Sequence, residues 1–251
     1  MMNYAVIAAG MGSRLTAEGV HTPKALVEVG GMSLIDRLIA IFCDQKAETV
    51  TVVCRTDADR LIEHLDDIRR NGLLGRSVPL QVVQQCTESS MHSLWAMRDQ
   101  ISGAPCCVTT VDTLFRPASF ARYVQAFESA VQRGGCDAMM GVTTLVDDER
   151  PLYVHADEQD RILAFRDADS PARYVSAGIY ALTPACWPVL RRCVAAGMQR
   201  MRRFQQALVD SGLALRAHDM GEVWDIDHAS DILKAEQWLS KDENVIKEDC
   251  R

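Results

Sequence analysis

Apolar and polar positions alternate along this chain in a rhythm that predicts strands and helices in turn. Residues 4–9 form a short apolar run that ends in a glycine loop, 34–42 carry helical spacing, and 49–54 are again short and β-branched. The rhythm continues with a helix over 57–70, a strand over 80–83, a helix over 92–100 and a strand over 106–111. Strands alternating with helices predict a mainly parallel sheet covered on both faces. The second half changes character. Residues 137–144, 153–155, 161–165 and 175–181 read as strands with few helices between them, which predicts antiparallel members in the same sheet. Helices are expected over 187–196 and 203–211, an extended stretch over 213–218, a closing helix over 229–240, and a polar, fraying tail from Lys241. No repeat or low-complexity linker divides the chain, so a single domain over 1–251 is expected.

Composition narrows the partners. The chain has 251 residues, enough for a sizeable core, with 48% apolar and 24% charged residues. A net charge of −7 argues against a protein built to neutralise a nucleic-acid backbone. No apolar run approaches the ~18 residues of a membrane span and no signal-peptide pattern opens the chain, so a cytoplasmic protein without a membrane is expected. The nine cysteines are an odd, scattered set with no C-x-x-C pair. They are expected to be reduced and mostly buried, with Cys54, Cys106, Cys107 and Cys136 packed as small hydrophobes.

The chemistry starts at the end of the first strand, in Ala8-Ala9-Gly10-Met11-Gly12-Ser13-Arg14-Leu15. Gly10 and Gly12 let backbone N–H groups converge on an anion, and Arg14 and Lys24, the latter stiffened by Pro23, add the full charges a triphosphate needs. The dinucleotide fingerprint fails because Leu15 stands at its third glycine, and the P-loop fails because no Gly-Lys-Ser/Thr follows at the right spacing. Hydroxyls gather in Thr87-Glu88-Ser89-Ser90-Met91-His92-Ser93, where helix capping is expected of at least one. Asp112 ends a strand at the carboxyl edge of the sheet, where it serves either a ligand or a turn. Asp225 and Asp227 share one face by strand alternation, and Asp227 is also placed to cap the helix that follows. Arg191, Arg192, Arg200, Arg202 and Arg203 read as a solvated face, with an anion-binding role left open. His21, His92 and His155 have no ligand-spaced partner; His92 is an outside candidate beside the hydroxyl cluster.

Taken together, Ala8-Ala9-Gly10-x-Gly12-x-Arg14-Leu15 with Pro23-Lys24 resembles the signature of the nucleotidyltransferases that make nucleotide sugars and activated alcohols, the MobA-like NTP transferases among them. The resemblance implies a three-layer α/β/α nucleotide-diphospho-sugar transferase fold. It implies that Ala8, Ala9, Gly10, Met11, Gly12 and Ser13 wrap a nucleoside triphosphate while Arg14 and Lys24 neutralise its phosphates. Ser89 and Ser90 stand where such proteins carry Gly-Thr against the nucleobase. Asp112 matches a magnesium ligand, with Val111 in place of the customary glycine, and Asp227 matches the second ligand, with Asp225 as helper. Gly178 and Asp167 fall at acceptor-binding positions, although Arg166 departs from the usual order there. The implied reaction is transfer of a nucleotidyl group from a triphosphate to a sugar 1-phosphate or a similar small phosphorylated acceptor, an alcohol phosphate or phosphonate included, with Mg2+ and release of pyrophosphate. A homodimer stays open. Two rivals share the fold. A glycosyltransferase calls for D-x-D where this chain has Val111-Asp112-Thr113, and a non-catalytic nucleotide sensor does not require Arg14, Lys24, Asp112 and Asp227 together.

Overall fold

In the computed structural model, which describes residues 2–145, 150–167 and 172–248, the elements follow the predicted rhythm. In chain order they are β1 (Asn3–Ala8), α1 (Ser13–Ala17), a 3-10 turn (Lys24–Leu26), β2 (Glu28–Val29), β3 (Met32–Ser33), α2 (Leu34–Asp44), β4 (Thr49–Cys54), α3 (Asp59–Asn71) and β5 (Leu80–Gln84). Next come α4 (Ser90–Ala96), α5 (Arg98–Ile101), β6 (Cys106–Thr110), β7 (Thr113–Leu114), α6 (Pro117–Gln132) and β8 (Ala138–Thr143). The chain continues with β9 (Tyr153–Ala156), β10 (Ile162–Arg166), β11 (Tyr174–Leu182), α7 (Trp187–Ala195), α8 (Met201–Asp210), β12 (Leu215–Asp219), β13 (Trp224–Asp225) and α9 (Ala229–Glu248).

The main sheet runs β5-β4-β1-β6-β11-β8-β12, all parallel except β11, which is antiparallel to both neighbours. The hairpin β9–β10 extends from the first residues of β11, pairing Tyr174 with Val154 and Val175 with Tyr153. β1 lies inside the sheet, between β4 and β6, and is buried along its whole length, as a strand covered on both faces must be. Its side chains divide by alternation. Tyr4, Val6 and Ala8 join the core formed with α2, α3, α6 and α9, whereas Ala5 and Ile7 join the core formed with α4, α5, α7 and α8. The first core is centred on aromatic rings, Tyr4 stacked on Phe42 at 4.9 Å and Phe115 on Phe120 at 5.0 Å. These are the three layers that the resemblance implies.

Several local differences have physical reasons. The helix expected over 92–100 starts at Ser90 and is interrupted at Met97, whose N–H bonds the carbonyl of Leu94 at 3.2 Å, so α4 and α5 are separate. α6 was not anticipated. Its buried Phe120, Tyr123, Val124, Phe127 and Ala130 keep helical spacing, and Pro117 sets its first turn. The small hairpin β2–β3 and the two-stranded pair of β7 with the distant β13 consist of two-residue strands, too short for a periodic signal. α9 runs on through the polar residues from 241 to Glu248, where fraying was expected. Among the described residues, no helix is long and apolar enough to cross a membrane.

Candidate functional site

The carboxyl ends of β1, β4 and β6 open on one side of the sheet, the side where open α/β sheets receive ligands. From β1 the chain passes through Ala9, Gly10 and exposed Met11 to Gly12, which sits at φ +60° and starts α1. Glycine is required at 12 on two counts: the left-handed backbone, and a Cβ that would lie 3.1 Å from the Cβ of Lys24. The loop therefore folds over the lysine. Lys24 leaves the rigid backbone of Pro23 at the start of a 3-10 turn, with its side chain only 11% exposed.

The Lys24 Nζ donates to Asp112 Oδ2 at 2.6 Å and to Asp227 Oδ1 at 2.5 Å, and Arg14 Nη1 donates to Asp227 Oδ2 at 2.6 Å. Residues 213 positions apart in sequence thus meet at one point. Burial works against the charge on Lys24, but Asp112 and then Asp227 outweigh it, so its pKa is raised. Asp112 follows β6, and its carbonyl accepts from Ile226 N at 3.0 Å, which docks β13 beside β7.

Asp227 does not cap α9, contrary to expectation. The N–H groups of Asp227 and His228 are taken by Asp231 Oδ2 at 3.2 and 2.8 Å, and that of Ala229 by Glu18 Oε2 at 2.7 Å. The Asp227 carboxylate is thereby left to face Lys24 and Arg14. Glu18 also bonds His228 Nδ1 at 2.5 Å, fastening α1, which carries Arg14, to the start of α9. Sequence reasoning missed Glu18, because nothing local marks a cap supplied by another helix.

Two cavities meet here. One, of about 820 Å³, is lined by the residues from Ala8 to Arg14, Lys24, Ser89, Ser90, Asp112 and Asp227, so it gathers the whole predicted nucleotide set. It also holds Arg55, gripped in bidentate fashion by Asp57 at 2.8 and 2.6 Å just past β4, a pair that sequence reasoning did not single out. The capping expected of the hydroxyl cluster is not made by Ser89 at the start of α4: its Oγ instead bonds His92 Nδ1 at 3.0 Å. His92 is thus a support for Ser89, and Thr87 Oγ1 pairs with Ser93 Oγ at 2.6 Å.

The second cavity, about 330 Å³, shares Ser90, Thr110, Asp112 and Asp227 with the first and extends past Gly178, Tyr180 and Asp225 to Arg150, Arg200 and Arg202. Gly178 lines it, at an irregularity in the pairing of β11 with β8. At φ +69° its Cβ would meet Thr113 Oγ1 at 2.7 Å and Thr110 Oγ1 at 2.8 Å, the two hydroxyls being bonded to each other at 2.6 Å. Thr113 also donates to Asp225 Oδ1 at 3.2 Å. Asp225 is open to the cleft on one side but enclosed by protein around it and adjoined by Asp112 and Asp227, and these effects raise its pKa to about 8. Asp167 does not line either cavity; it is ion-paired with Arg202. Arg166 turns to the Phe165 carbonyl at 3.0 Å and Gln206 Oε1 at 3.3 Å. The arginine cluster read as one solvated face is divided: Arg191, Arg192 and Arg203 are exposed and line neither cavity, while Arg200 and Arg202 enter this one. The described cysteines are free, most of them buried as expected and Cys86 exposed.

The comparisons with known proteins agree with this geometry. Residues 4–211 match the family model of the MobA-like NTP transferase domain. The N-acetylmuramate alpha-1-phosphate uridylyltransferase of Caulobacter vibrioides is 27% identical over 71% of this chain and 74% of its own length. A putative mannose-1-phosphate guanyltransferase of Sulfolobus acidocaldarius is 21% identical over 72% of this chain and 48% of its own, so the chain spans only about half of that relative. In fold, a putative glucose-1-phosphate thymidylyltransferase from Bacillus anthracis superposes with a TM-score of 0.79 at 17% identity, covering 95% of each chain. The chain belongs to the MobA-like NTP transferase domain family.

Proposed function

We propose that this protein is a nucleotidyltransferase that moves the nucleoside monophosphate of a triphosphate onto a sugar 1-phosphate and releases pyrophosphate. The observation that carries this reading is the junction of the two cavities at Asp112 and Asp227, spanned by the Lys24 ammonium. A triphosphate in the larger cavity and a phosphorylated acceptor in the smaller one would bring their phosphates together at that junction. An acceptor phosphate oxygen attacks the α-phosphorus, the bond from that phosphorus to the bridging oxygen of the β-phosphate breaks, and pyrophosphate carries the electron pair away. No protein nucleophile is needed. The loop amides and the Arg14 and Lys24 charges hold the phosphates and oppose the charge that grows on the leaving group. Ser89 and Ser90 border the same cavity for the base. The names of the relatives, which act on sugar 1-phosphates, support the acceptor class.

The carboxylates suit magnesium. Asp112 and Asp227 converge on one cation, the ammonium, from opposite ends of the chain, and both offer hard oxygen donors. Two carboxylates would leave the remaining positions of an octahedral ion to phosphate and water. When bound there, Mg2+ supplies charge neutralisation for the transferring phosphate. Asp112 and Asp227 would hold it, with Asp225 beside them.

The test is pyrophosphate release from ATP, CTP, GTP, UTP and dTTP, each paired with hexose 1-phosphates and with phosphocholine in the presence of Mg2+. Turnover with a sugar 1-phosphate is expected. Absence of release with every sugar 1-phosphate would overturn the reading.

A further inference from the structure

α8 is amphipathic, and its buried side is made by Met201, Phe204, Gln205 and Leu208. Three of these are apolar, as a helix face against a core requires. The fourth carries an amide, although it is only 1% exposed, and a buried amide is costly unless its oxygen and its nitrogen both find partners. Gln205 also belongs to the wall of the smaller cavity, with Met201 one helical turn before it.

Its hydrogen bonding is half complete. Nε2 lies 3.4 Å from Ser176 Oγ and 3.9 Å from Met140 Sδ, and a thioether accepts but never donates, so the nitrogen end of the amide is the one turned toward them. Among the described residues nothing donates to Oε1. Ser176, which steadies the nitrogen, lies where the pairing of β11 with β8 shifts register, and an irregularity of this kind re-aims a side chain. Ser176 lines the same cavity. The cavity is thus the remaining source of a donor for the oxygen. Its charged members, Asp225 among them with Arg150, Arg200 and Arg202, respond to the charge of an acceptor, whereas a neutral amide oxygen responds only to an O–H or N–H.

Resting on the sugar 1-phosphate reading, we propose that Gln205 sets acceptor specificity: its Oε1 accepts from one hydroxyl of the sugar, while Ser176 holds the nitrogen end in place. The transferred phosphate lies at the junction that both cavities share, and Gln205 lines only the smaller one, so the hydroxyl it reads belongs to the body of the acceptor. Phosphocholine, whose quaternary ammonium has no hydrogen to donate, leaves the amide oxygen unmatched.

The experiment measures kcat/KM with the best triphosphate for the preferred hexose 1-phosphate and its 2-, 3-, 4- and 6-deoxy analogues, on the wild type, Gln205→Met and Gln205→Leu. In the wild type, loss of one hydroxyl should cost about tenfold or more, since a site built to hydrogen-bond a hydroxyl discriminates strongly against its absence. In both variants that analogue should come within about threefold of its parent, while the ratios at the other positions stay as in the wild type. Methionine keeps the length and volume of the buried side chain, and a ratio of two acceptors on one preparation does not depend on how much of it is folded. Deoxy ratios that are unchanged in both variants, or that all fall together, would overturn the inference and leave the transferase reading in place. Lack of turnover with every sugar 1-phosphate would overturn both.

Discussion

Replacing Lys24 by methionine separates a catalytic cation from a structural one. The side chain is 11% exposed, and methionine fills the same stem without the charge. Its bond to Asp112, itself 25% exposed, is a charge-assisted contact of about 1.5–3 kcal/mol. The bond to Asp227, 37% exposed, is screened by water and contributes about 0.5–1 kcal/mol. Burial of the ammonium offsets part of this, yet the pairs prevail, since the pKa is raised. A net loss of about 2 kcal/mol follows in the free protein, lowering Tm by about 4–8 °C for a chain of this size. Catalysis should suffer more: loss of a preorganised charge at the transferring phosphate costs about 100- to 1000-fold in kcat. Because the folded pKa lies above the unfolded value of about 10.4, the lysine's contribution is complete below that pH and is lost only as pH rises through the folded value. The wild-type kcat should therefore show no limb from Lys24 between about pH 6 and pH 9. The assays are pyrophosphate release at saturating substrates and thermal unfolding. A variant that loses stability but keeps kcat within about tenfold would refute the catalytic role and leave Lys24 as a brace for two aspartates.

Three further outcomes follow from contacts around the junction. Gly178→Ala forces a Cβ against the Thr110 and Thr113 hydroxyls at a left-handed φ and should destabilise by about 1–3 kcal/mol; an unchanged melting temperature would contradict that packing. Asp225→Asn should stabilise the metal-free protein, because a carboxyl whose pKa is raised incurs a penalty that grows as pH climbs from its unfolded value of about 3.9 and is complete above about pH 8. Melting curves at pH 8 and near pH 4 check this, and a gain of equal size at both would speak against it. Glu18→Ala frees α1 from the start of α9 and should lower kcat/KM for the triphosphate by shifting Arg14 from Asp227; unaltered kinetics would make the contact a surface bond of no consequence.

The centre of this site was legible because its signals are local and chemically specific. A glycine loop at a strand end and a lysine after proline announce themselves within a few residues. An aspartate closing an apolar run is a weaker mark, resolved only by the loop. What the sequence hid depends on the third dimension. A glycine inside a strand pattern does not say what approaches it, and at Gly178 threonine hydroxyls arrive from the end of β6 and from β7. Asp227, matched to a metal ligand, is by its position before a helix also placed to cap it, yet Asp231 and distant Glu18 take the amides. The arginines look like one exposed run, and only the placement of α8 against the cavity divides Arg200 and Arg202 from Arg191, Arg192 and Arg203. α6 shows that a plain amphipathic pattern, with Phe120, Tyr123, Val124 and Phe127 on one side, is easily passed over beside a motif that draws the eye.

In the proposed reaction, Asp112 and Asp227 together would hold the metal at the meeting point of nucleotide and acceptor. A Mg2+ titration of triphosphate-dependent pyrophosphate release, run on the wild type, Asp112→Asn and Asp227→Asn, tests it most directly. Each variant is predicted to lose about 100-fold or more in kcat and to need more Mg2+ for half-maximal rate. Wild-type rates and an unshifted Mg2+ dependence in either variant would contradict it.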